Sequence, residues 1–187
     1  MIIHTQRLIL RPVNAGDLDD LFEYSSQADV GRNAGWKPHT TRQETQDLID
    51  GVLLGNDAVL AIVYAGANKV IGTIGLVPDP KRQNQNARMM GYAMNHDYWG
   101  HGLMTEAVSA LLRACFSSQG ITLVSAYCYP ENNRSKAVLR KSGFHWEGRL
   151  SQCELCYDGQ IRDNDCFAVT GEGYTRRKSS DSNRQSS

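Results

Sequence analysis

Apolar residues recur along this chain at two different spacings, which predicts a mixture of strands and helices. Alternating positions and short apolar runs predict seven strands, at residues 5–12, 58–64, 69–77, 88–95, 121–127, 144–157 and 161–170. Apolar positions three and four residues apart predict four helices, at residues 14–26, 41–53, 103–116 and 133–141. The resulting order, β-α-α-β-β-β-α-β-α-β-β, predicts a single mixed α/β domain.

Turn and capping residues mark where these elements begin and end. The residues TRQE at 41–44 form a capping box, and GAN at 66–68 and DG at 158–159 predict hairpin turns. Residues 31–40 predict an irregular loop between the first two helices. The predicted domain covers residues 1–172. Residues 173–187 are mostly polar and predict a flexible tail, because they offer little to bury.

Composition narrows the class of protein. The chain has 187 residues, of which 41% are hydrophobic and 21% charged, with 20 basic and 20 acidic side chains and a formal net charge of zero. This balance argues against a nucleic-acid partner, which needs a basic face. No apolar run is long enough for a membrane span and the start lacks a signal-peptide pattern, so we expect no membrane association and a cytoplasmic location.

The five cysteines form neither a disulfide framework nor a zinc site by their spacing. Their number is odd, which favours reduced thiols in a chain of this length. Cys153 and Cys156 have the CxxC spacing, but no second CxxC pair is present to complete four ligands. We therefore expect no metal site.

The residues YWGHGLMTEA at 98–107 carry the first candidate chemistry. Two glycines follow a predicted strand, and an amphipathic helix begins directly after them. Unpaired N–H groups and the helix dipole attract an anion to such a turn, so it predicts a phosphate site. The alternative is a tight bend with a glycine at the helix N-cap. Neither a P-loop nor a G-x-G-x-x-G dinucleotide turn is present.

Four motifs in order resemble the GNAT family of acetyl-CoA-dependent N-acetyltransferases, and within it the RimJ/RimL-type branch. They are TQRLILRP at 5–12, GYAM at 91–94, the glycine turn at 98–107, and PENNRS at 130–135 with LRKSGF at 139–144. The resemblance implies a GNAT fold: a mixed, mostly antiparallel sheet of six to seven strands flanked by about four helices. It also implies acetyl-CoA as the acetyl donor.

The resemblance implies which residues of this chain bind the donor. They are Ala93, Met94, Trp99, Gly100, His101, Gly102, Leu103, Met104, Thr105 and Asn132. Trp99 stands where the family has Arg or Gln, and Met104 replaces a small residue. A backbone N–H at about residues 93–95 is expected to stabilise the oxyanion of the tetrahedral intermediate.

The resemblance also suggests Glu154 as the general base and Ser135 as the general acid, because RimL-type members keep a Glu and a Ser 19 residues apart, as here. The alternatives are a solvated strand carboxylate and an ordinary helix hydroxyl. Many relatives carry a Glu where this chain has Met89 and Met90, and a Tyr where it has Leu139. Those two groups are absent, and water could act in place of Glu154 or Ser135.

Other polar residues near these motifs have simpler explanations. Asn132 either contacts the pantetheine arm or an ordered water, or caps a helix. We expect Glu106 to be structural, His101 to be an exposed loop residue, and Asp163 to be structural or to face the acceptor.

The identity of the acceptor amine is open. An α-amine has a pKa of about 7.8, so it is deprotonated far more often at neutral pH than a lysine amine, and suits a site with a modest base. The branch contains enzymes that acetylate N-termini of ribosomal proteins. We therefore favour a protein N-terminus, against a small-molecule amine or antibiotic, or a catalytically weak acyl-CoA-binding module. Residues 31–40 and the segment after Tyr157 are expected to line the acceptor groove, and a homodimer is possible.

Overall fold

One eight-stranded sheet organises the chain in the computed structural model, which describes residues 1–117 and 120–177. The strands are β1 (Ile3–His4), β2 (Leu8–Pro12), β3 (Val59–Tyr64), β4 (Lys69–Pro78), β5 (Ala87–Met94), β6 (Leu123–Cys128), β7 (His145–Leu155) and β8 (Ile161–Thr170). Their order across the sheet is β1-β2-β3-β4-β5-β6-β8-β7. Every neighbouring pair is antiparallel except β5 and β6, which are parallel.

Helices cover both faces of this sheet. They are α1 (Leu18–Ser25), α2 (Ala28–Ala34), α3 (Arg42–Leu48), α4 (Leu103–Ser117) and α5 (Asn133–Lys141), with short helical turns at Ala15–Asp17, Ile49–Leu53 and His96–Tyr98. The alternation of the strands divides the core in two. Leu8 and Leu10 belong to the cluster packed on α4 and α5, whereas Ala61 and Val63 belong to the cluster on α1 and α2. None of the described helices could cross a bilayer.

Helix ends follow the local sequence as expected. The Thr41 side chain accepts a hydrogen bond from the Glu44 N–H, and the Glu44 carboxylate accepts from the Thr41 N–H, which completes the predicted capping box at the start of α3. The Asn132 side chain caps α5 by accepting from the Ser135 N–H. These caps satisfy N–H groups that have no partner within the helix.

The mixed, mostly antiparallel α/β architecture confirms the predicted fold class, but the sheet has eight strands in the described residues rather than six to seven. The additional strand is β1, in which Ile3 pairs with Leu10 and His4 with Ile9. A tight turn at Thr5 reverses the chain, since the Thr5 N–H donates to the Leu8 carbonyl. A two-residue strand carries too little periodicity to be recognised in the sequence.

The predicted irregular loop at residues 31–40 is partly wrong, because α2 extends to Ala34. Gly31, within α2, accounts for the difference between the predicted loop and the observed helix. Gly31 lowers the helix propensity of the segment, yet a Cβ at this position would approach the Trp36 carbonyl to 2.8 Å. The close return of the chain over α2, possible only with glycine there, supports a helix that its own sequence does not predict.

The chain continues in regular structure past residue 172, where the sequence placed the end of the domain. Residues 171–177 are helical, and Tyr174 is buried. Its ring packs on Phe116 at a centroid distance of 5.5 Å, and its hydroxyl donates to the Ser109 carbonyl. This part of the predicted tail therefore packs on α4. The remainder, residues 178–187, lies outside the described residues.

Glu106, in the first turn of α4, connects this helix with the segment that precedes β2. Its carboxylate accepts hydrogen bonds from the Thr5 hydroxyl (2.6 Å) and the Arg7 N–H (2.9 Å), and pairs with the Arg7 guanidinium (2.7 Å). Burial opposes ionisation of Glu106, but these hydrogen bonds and the Arg7 charge together lower its pKa. Glu106 is thus structural, as the sequence suggested.

We predict that Glu106→Gln lowers the free energy of unfolding by about 1–2 kcal/mol near neutral pH, because the hydrogen bonds involve a charge but Arg7 is partly exposed. The pKa of Glu106 is lowered on folding, so its contribution is present above the unfolded pKa of about 4.5 and is lost as the pH falls through the folded value. Urea unfolding at a series of pH values measures this. The exposed control Glu131→Gln should show neither effect, and an equal loss in both variants contradicts the assignment.

Candidate active site

A cavity of about 670 Å³ lies where β5 and β6 separate. The two strands pair only from Ala87 opposite Leu123 to Met89 opposite Ser125, and then diverge. The gap between them is lined by the rest of both strands, the N-terminus of α4, α5, α2 and the hairpin of β7 and β8. It brings together eleven of the residues selected from the sequence: Ala93, Met94, Trp99, Gly100, Gly102, Leu103, Met104, Thr105, Asn132, Ser135 and Glu154.

His101 is the selected residue that does not line the cavity. It is exposed, and its carbonyl accepts a hydrogen bond from the Arg7 guanidinium at 3.0 Å. The same arginine pairs with Glu106 in α4. Arg7 therefore braces the glycine turn against the helix that follows it. Sequence inspection placed Arg7 only in the opening strand and did not connect it with the turn.

The cavity passes through the sheet from one face to the other. On β6, Ala126 and Cys128 lie in the core cluster beneath α4, so Tyr127 between them faces the opposite side of the sheet. On β5, Met94 belongs to the cluster of α4 and Ala93 to that of α2. We call the two parts the α4 half and the α2 half of the cavity. Each half presents different chemistry.

The glycine turn forms the mouth of the α4 half. Gly100 and Gly102 have φ values of 82° and 75°, in the left-handed region that favours glycine. The first intrahelical hydrogen bond of α4 runs from the Glu106 N–H to the Gly102 carbonyl, at 3.1 Å. The preceding N–H groups, of Leu103, Met104 and Thr105, have no acceptor within the helix. The turn therefore has the geometry of an anion site.

Trp99 and Arg134 add to this site from two elements. The Trp99 indole N–H donates to the Met94 carbonyl at 2.8 Å, which fixes the end of β5. The Arg134 guanidinium, from α5, lies 4.8 Å above the Trp99 ring. Trp99 stands where the family has a polar or cationic side chain, and here a neighbouring helix supplies the cation.

The backbone N–H of Met94, at the end of β5, points away from β4 and toward the cavity. Asn95 donates its N–H to the Ile71 carbonyl in β4, at 2.8 Å. Successive residues of a strand direct their backbone groups to opposite sides, so the N–H of Met94 points away from β4. The Met94 carbonyl does the same, since it accepts from Trp99. Of the three residues expected to supply an oxyanion donor, the geometry favours Met94.

Glu154 faces the α2 half of the cavity, near Gly35 at the end of α2, and its carboxylate is held from both sides. Tyr129 donates its hydroxyl to Oε1 at 2.8 Å, and Asn164 donates its amide N–H to Oε2 at 2.7 Å. Burial and the neighbouring Cys156 and Glu154 raise the pKa of Tyr129, so its hydroxyl stays protonated and acts as the donor. Each carboxylate oxygen keeps a lone pair for a further donor.

A bulge in β7 orients Glu154. The pairing of β7 with β8 shifts register between Leu150 and Glu154, and Gln152 adopts a φ of 50° within the shift. The Gln152 N–H donates to the Asp163 carboxylate at 2.9 Å, which holds the bulge in place. Such bulges turn the residues that follow. Asp163 is therefore structural, one of the two roles that its sequence position suggested.

Ser135 lies in the first turn of α5, at hydrogen-bond distance from Tyr92 on β5. Their hydroxyl oxygens are 2.8 Å apart, and either can be the donor. Burial raises the pKa of Tyr92, so the phenol stays protonated. The Asn132 side chain accepts from the Ser135 N–H, so Asn132 caps the helix and also lines the cavity. Leu139, which stands where relatives have a tyrosine, is fully buried in the core.

Sequence inspection did not identify several polar residues of the cavity. They are Lys81, Tyr92, Tyr129, Arg134 and Asn164. Tyr92 shares the alternation of Met90 and Met94 on β5, so its orientation could have been inferred. The others lie on separate elements that meet only in the folded chain. Among the described residues, no three His, Cys, Asp or Glu side chains converge as a metal-binding group.

Comparison with known proteins shows which family this chain is similar to. The acetyltransferase (GNAT) domain family matches residues 7–145. An uncharacterised N-acetyltransferase, p20 of Bacillus licheniformis, is 30% identical over 92% of this chain and 97% of its own length. A ribosomal protein uS5-alanine N-acetyltransferase of Escherichia coli is 35% identical over 50% of this chain and 48% of its own length.

The fold is similar to that of solved GNAT structures. RimL, a ribosomal L7/L12 α-N-protein acetyltransferase solved with coenzyme A, superposes with a TM-score of 0.77 at 22% identity, covering 91% of this chain and 98% of RimL. These similarities are consistent with the RimJ/RimL-type branch. Together with the family match over most of the chain, they show that this protein belongs to the GNAT family of N-acetyltransferases.

Proposed function

We propose that this protein transfers the acetyl group of acetyl-CoA to the α-amine of a protein N-terminus. The observation that carries the proposal is the cavity that runs through the sheet, with an anion site at its α4 mouth and a held carboxylate facing its α2 half. The E. coli relative that acetylates a ribosomal protein and the RimL structure with coenzyme A support the donor and the class of acceptor.

In this proposal the α4 half binds the donor. The N–H groups of Leu103, Met104 and Thr105 donate hydrogen bonds to the pyrophosphate, because a helix N-terminus stabilises an anion. Arg134 adds a positive charge beside them. The pantetheine arm then enters the gap between β5 and β6, where the unpaired strand edges offer hydrogen-bonding groups. This route brings the thioester to the N–H of Met94.

The α2 half receives the amine. Glu154 accepts a proton from the attacking amine, directly or through one water, on the lone pair that Tyr129 and Asn164 leave available. The nitrogen attacks the thioester carbonyl, and the N–H of Met94 stabilises the oxyanion. The tetrahedral intermediate then breaks its carbon–sulfur bond, and Ser135 donates a proton to the departing thiolate. Tyr92, which its burial keeps protonated, holds the Ser135 hydroxyl in place by their hydrogen bond, and solvent water returns the proton to Ser135.

A catalytically weak acyl-CoA-binding module is the second candidate, because Met89 and Leu139 replace groups that act in other GNAT proteins. Both candidates predict that acetyl-CoA raises the unfolding temperature. They separate when thiol release from acetyl-CoA is followed with a panel of N-terminal peptides, small amines and aminoglycoside-type antibiotics. Turnover with peptides supports the proposal, turnover with small amines alone redirects it, and no turnover favours the module.

We predict that Glu154→Gln lowers kcat by about 10²–10³-fold, the size of a general-base contribution, with acetyl-CoA affinity nearly unchanged. Gln preserves the size of the side chain and can still accept from Tyr129, so the fold should hold. Steady-state kinetics and calorimetric titration with acetyl-CoA provide the two measurements. Glu131→Gln, an exposed carboxylate change, serves as the control. An unchanged kcat in Glu154→Gln removes this residue from the mechanism.

Gly102→Val should weaken acetyl-CoA binding at least about tenfold, because a β-branched residue is strained at a φ of 75° and its side chain covers the anion site. Gly55→Val is a matched control. Gly55 has a φ of 73°, a Cβ there would meet no atom within 4 Å, and the residue does not line the cavity. Both variants should lose similar stability, but only Gly102→Val should lose affinity. Equal affinity in the two variants contradicts the assignment of the turn.

A further inference from the structure

A lysine in the α2 half of the cavity has no role in the steps described above. Three cationic side chains line the cavity among the described residues: Lys81, Arg134 and Lys141. Arg134 and Lys141 lie on α5, on the side of the glycine turn. Lys81 comes from the connection between β4 and β5 and lies across the sheet from them, because it covers the outward face of Tyr127.

Contacts with the Tyr127 ring and with Asp79 fix the position of Lys81. Its ammonium nitrogen lies 4.2 Å from the centre of the Tyr127 ring, within the range of a cation–π contact. The Tyr127 hydroxyl donates to the Asp79 carboxylate at 2.9 Å, and the Lys81 backbone N–H donates to the same carboxylate at 2.8 Å. The ring beneath the lysine and the backbone of the lysine itself are thus tied to one buried group.

Asp79 is itself compensated without the Lys81 ammonium. Its side chain is fully buried, accepts from the Ser125 hydroxyl at 2.5 Å and pairs with Arg82 at 3.1 Å. Burial opposes its ionisation, but the hydrogen bonds from Ser125, the Lys81 N–H and Tyr127, together with the Arg82 charge, lower the pKa of Asp79. The carboxylate stays charged and satisfied, so it does not need the lysine side chain.

The Lys81 side chain lines the cavity and is exposed, so its ammonium can meet an anion that enters from solvent. In the described ranges it forms no ion pair with a carboxylate, and its polar contact is the Cys153 sulfur at 3.9 Å. A row of contacts connects it with the proposed base: the Asn164 amide lies 3.3 Å from the same sulfur and 2.7 Å from Glu154. A cation and an anion thus face one half of the cavity, connected by three successive contacts of 3.9, 3.3 and 2.7 Å.

We propose that Lys81 binds a carboxylate of the acceptor, so that the preferred substrate is a protein N-terminus with Asp or Glu at its second or third position. Glu154 attracts the amine and Lys81 the acidic group. An extended peptide advances about 3.4 Å per residue. An acidic side chain one or two residues after the N-terminus can therefore reach Lys81 while the amine lies at Glu154. This inference rests on the proposed function, which gives a protein N-terminus as the acceptor. It adds that this acceptor carries a negative charge near its N-terminus.

Peptide binding to the protein saturated with coenzyme A tests this inference without requiring turnover. The probes are matched peptides with N-terminal Ala and either Asp or Asn at position two, and a second pair that differs at position three. In the unmodified protein, one Asp peptide should bind about three- to tenfold more tightly than its Asn partner, as expected for a partly exposed ion pair. Calorimetric titration at low salt measures the ratio, which should fall as salt is added.

Variants of the lysine provide the decisive comparison. Lys81→Met keeps the aliphatic contact with Tyr127 and should reduce the Asp-to-Asn ratio to about one, whereas Lys81→Glu should invert it. Arg113→Met, which removes an exposed charge of α4 outside the cavity, should leave the ratio unchanged. The inference is overturned if the ratio is the same in Lys81→Met and the unmodified protein. It is also overturned if mass spectrometry after incubation with acetyl-CoA shows acetylation of Lys81 itself, because the residue is then an acceptor.

The same peptides report separately on the proposed function. Thiol release from acetyl-CoA with any of them supports N-terminal acetyl transfer, whatever the charge preference. Charge-dependent binding without thiol release leaves the lysine subsite standing and contradicts the proposed acetyl transfer to peptides. The two conclusions therefore fail on different measurements.

Discussion

The separation of β5 and β6 after three residue pairs is the constraint on which the rest of the site depends. Parallel neighbours need a long crossover connection, and here it is the glycine turn followed by α4. The crossover places the helix N-terminus at the mouth of the gap. Because the strands diverge, the Met94 N–H on β5 is directed to the gap rather than to a neighbouring strand. The candidate anion site and the passage through the sheet thus have one structural cause.

Charged side chains keep the walls of this gap in position. On the side of α5, the buried Asp165 on β8 pairs with Lys136 at 2.5 Å and with Arg149 on β7 at 2.7 Å. The hydrogen bond from Arg149 and the bond and charge of Lys136 lower the pKa of Asp165 to about 2, despite its burial. One carboxylate therefore connects α5, which carries Ser135, with the hairpin that carries Glu154.

On the opposite side, Asp79 has the equivalent function. It joins the connection between β4 and β5 to Ser125 and Tyr127 of β6, close to the point where the strands begin to separate. Buried carboxylates of this kind stabilise a fold only when every partner is present. Their partners come from distant parts of the chain, so each carboxylate fixes the relative positions of elements that line the cavity.

Local patterns determined much of this protein. Alternation in the strands, the capping box at Thr41 and the glycines at 100 and 102 predicted the fold class and the donor turn, because each rests on backbone geometry within a few residues. The same reasoning misjudged short segments. It missed β1 and α2, since Ile3 and Gly31 depend on contacts with residues outside their own elements. It ended the domain at residue 172, since Tyr174 packs on residues of α4 that lie far away in the chain.

The chemistry of the acceptor side was decided by the tertiary structure. Tyr129, Asn164 and Lys81 belong to three different elements, and nothing in their spacing relates them to Glu154. Hydrogen bonds and cation–π contacts act over a few ångströms of space, whereas sequence patterns report neighbours along the chain. The sequence by itself therefore determined the proposed donor site, which is one continuous turn and helix. Only the folded sheet decided which side chains face the proposed acceptor half of the cavity.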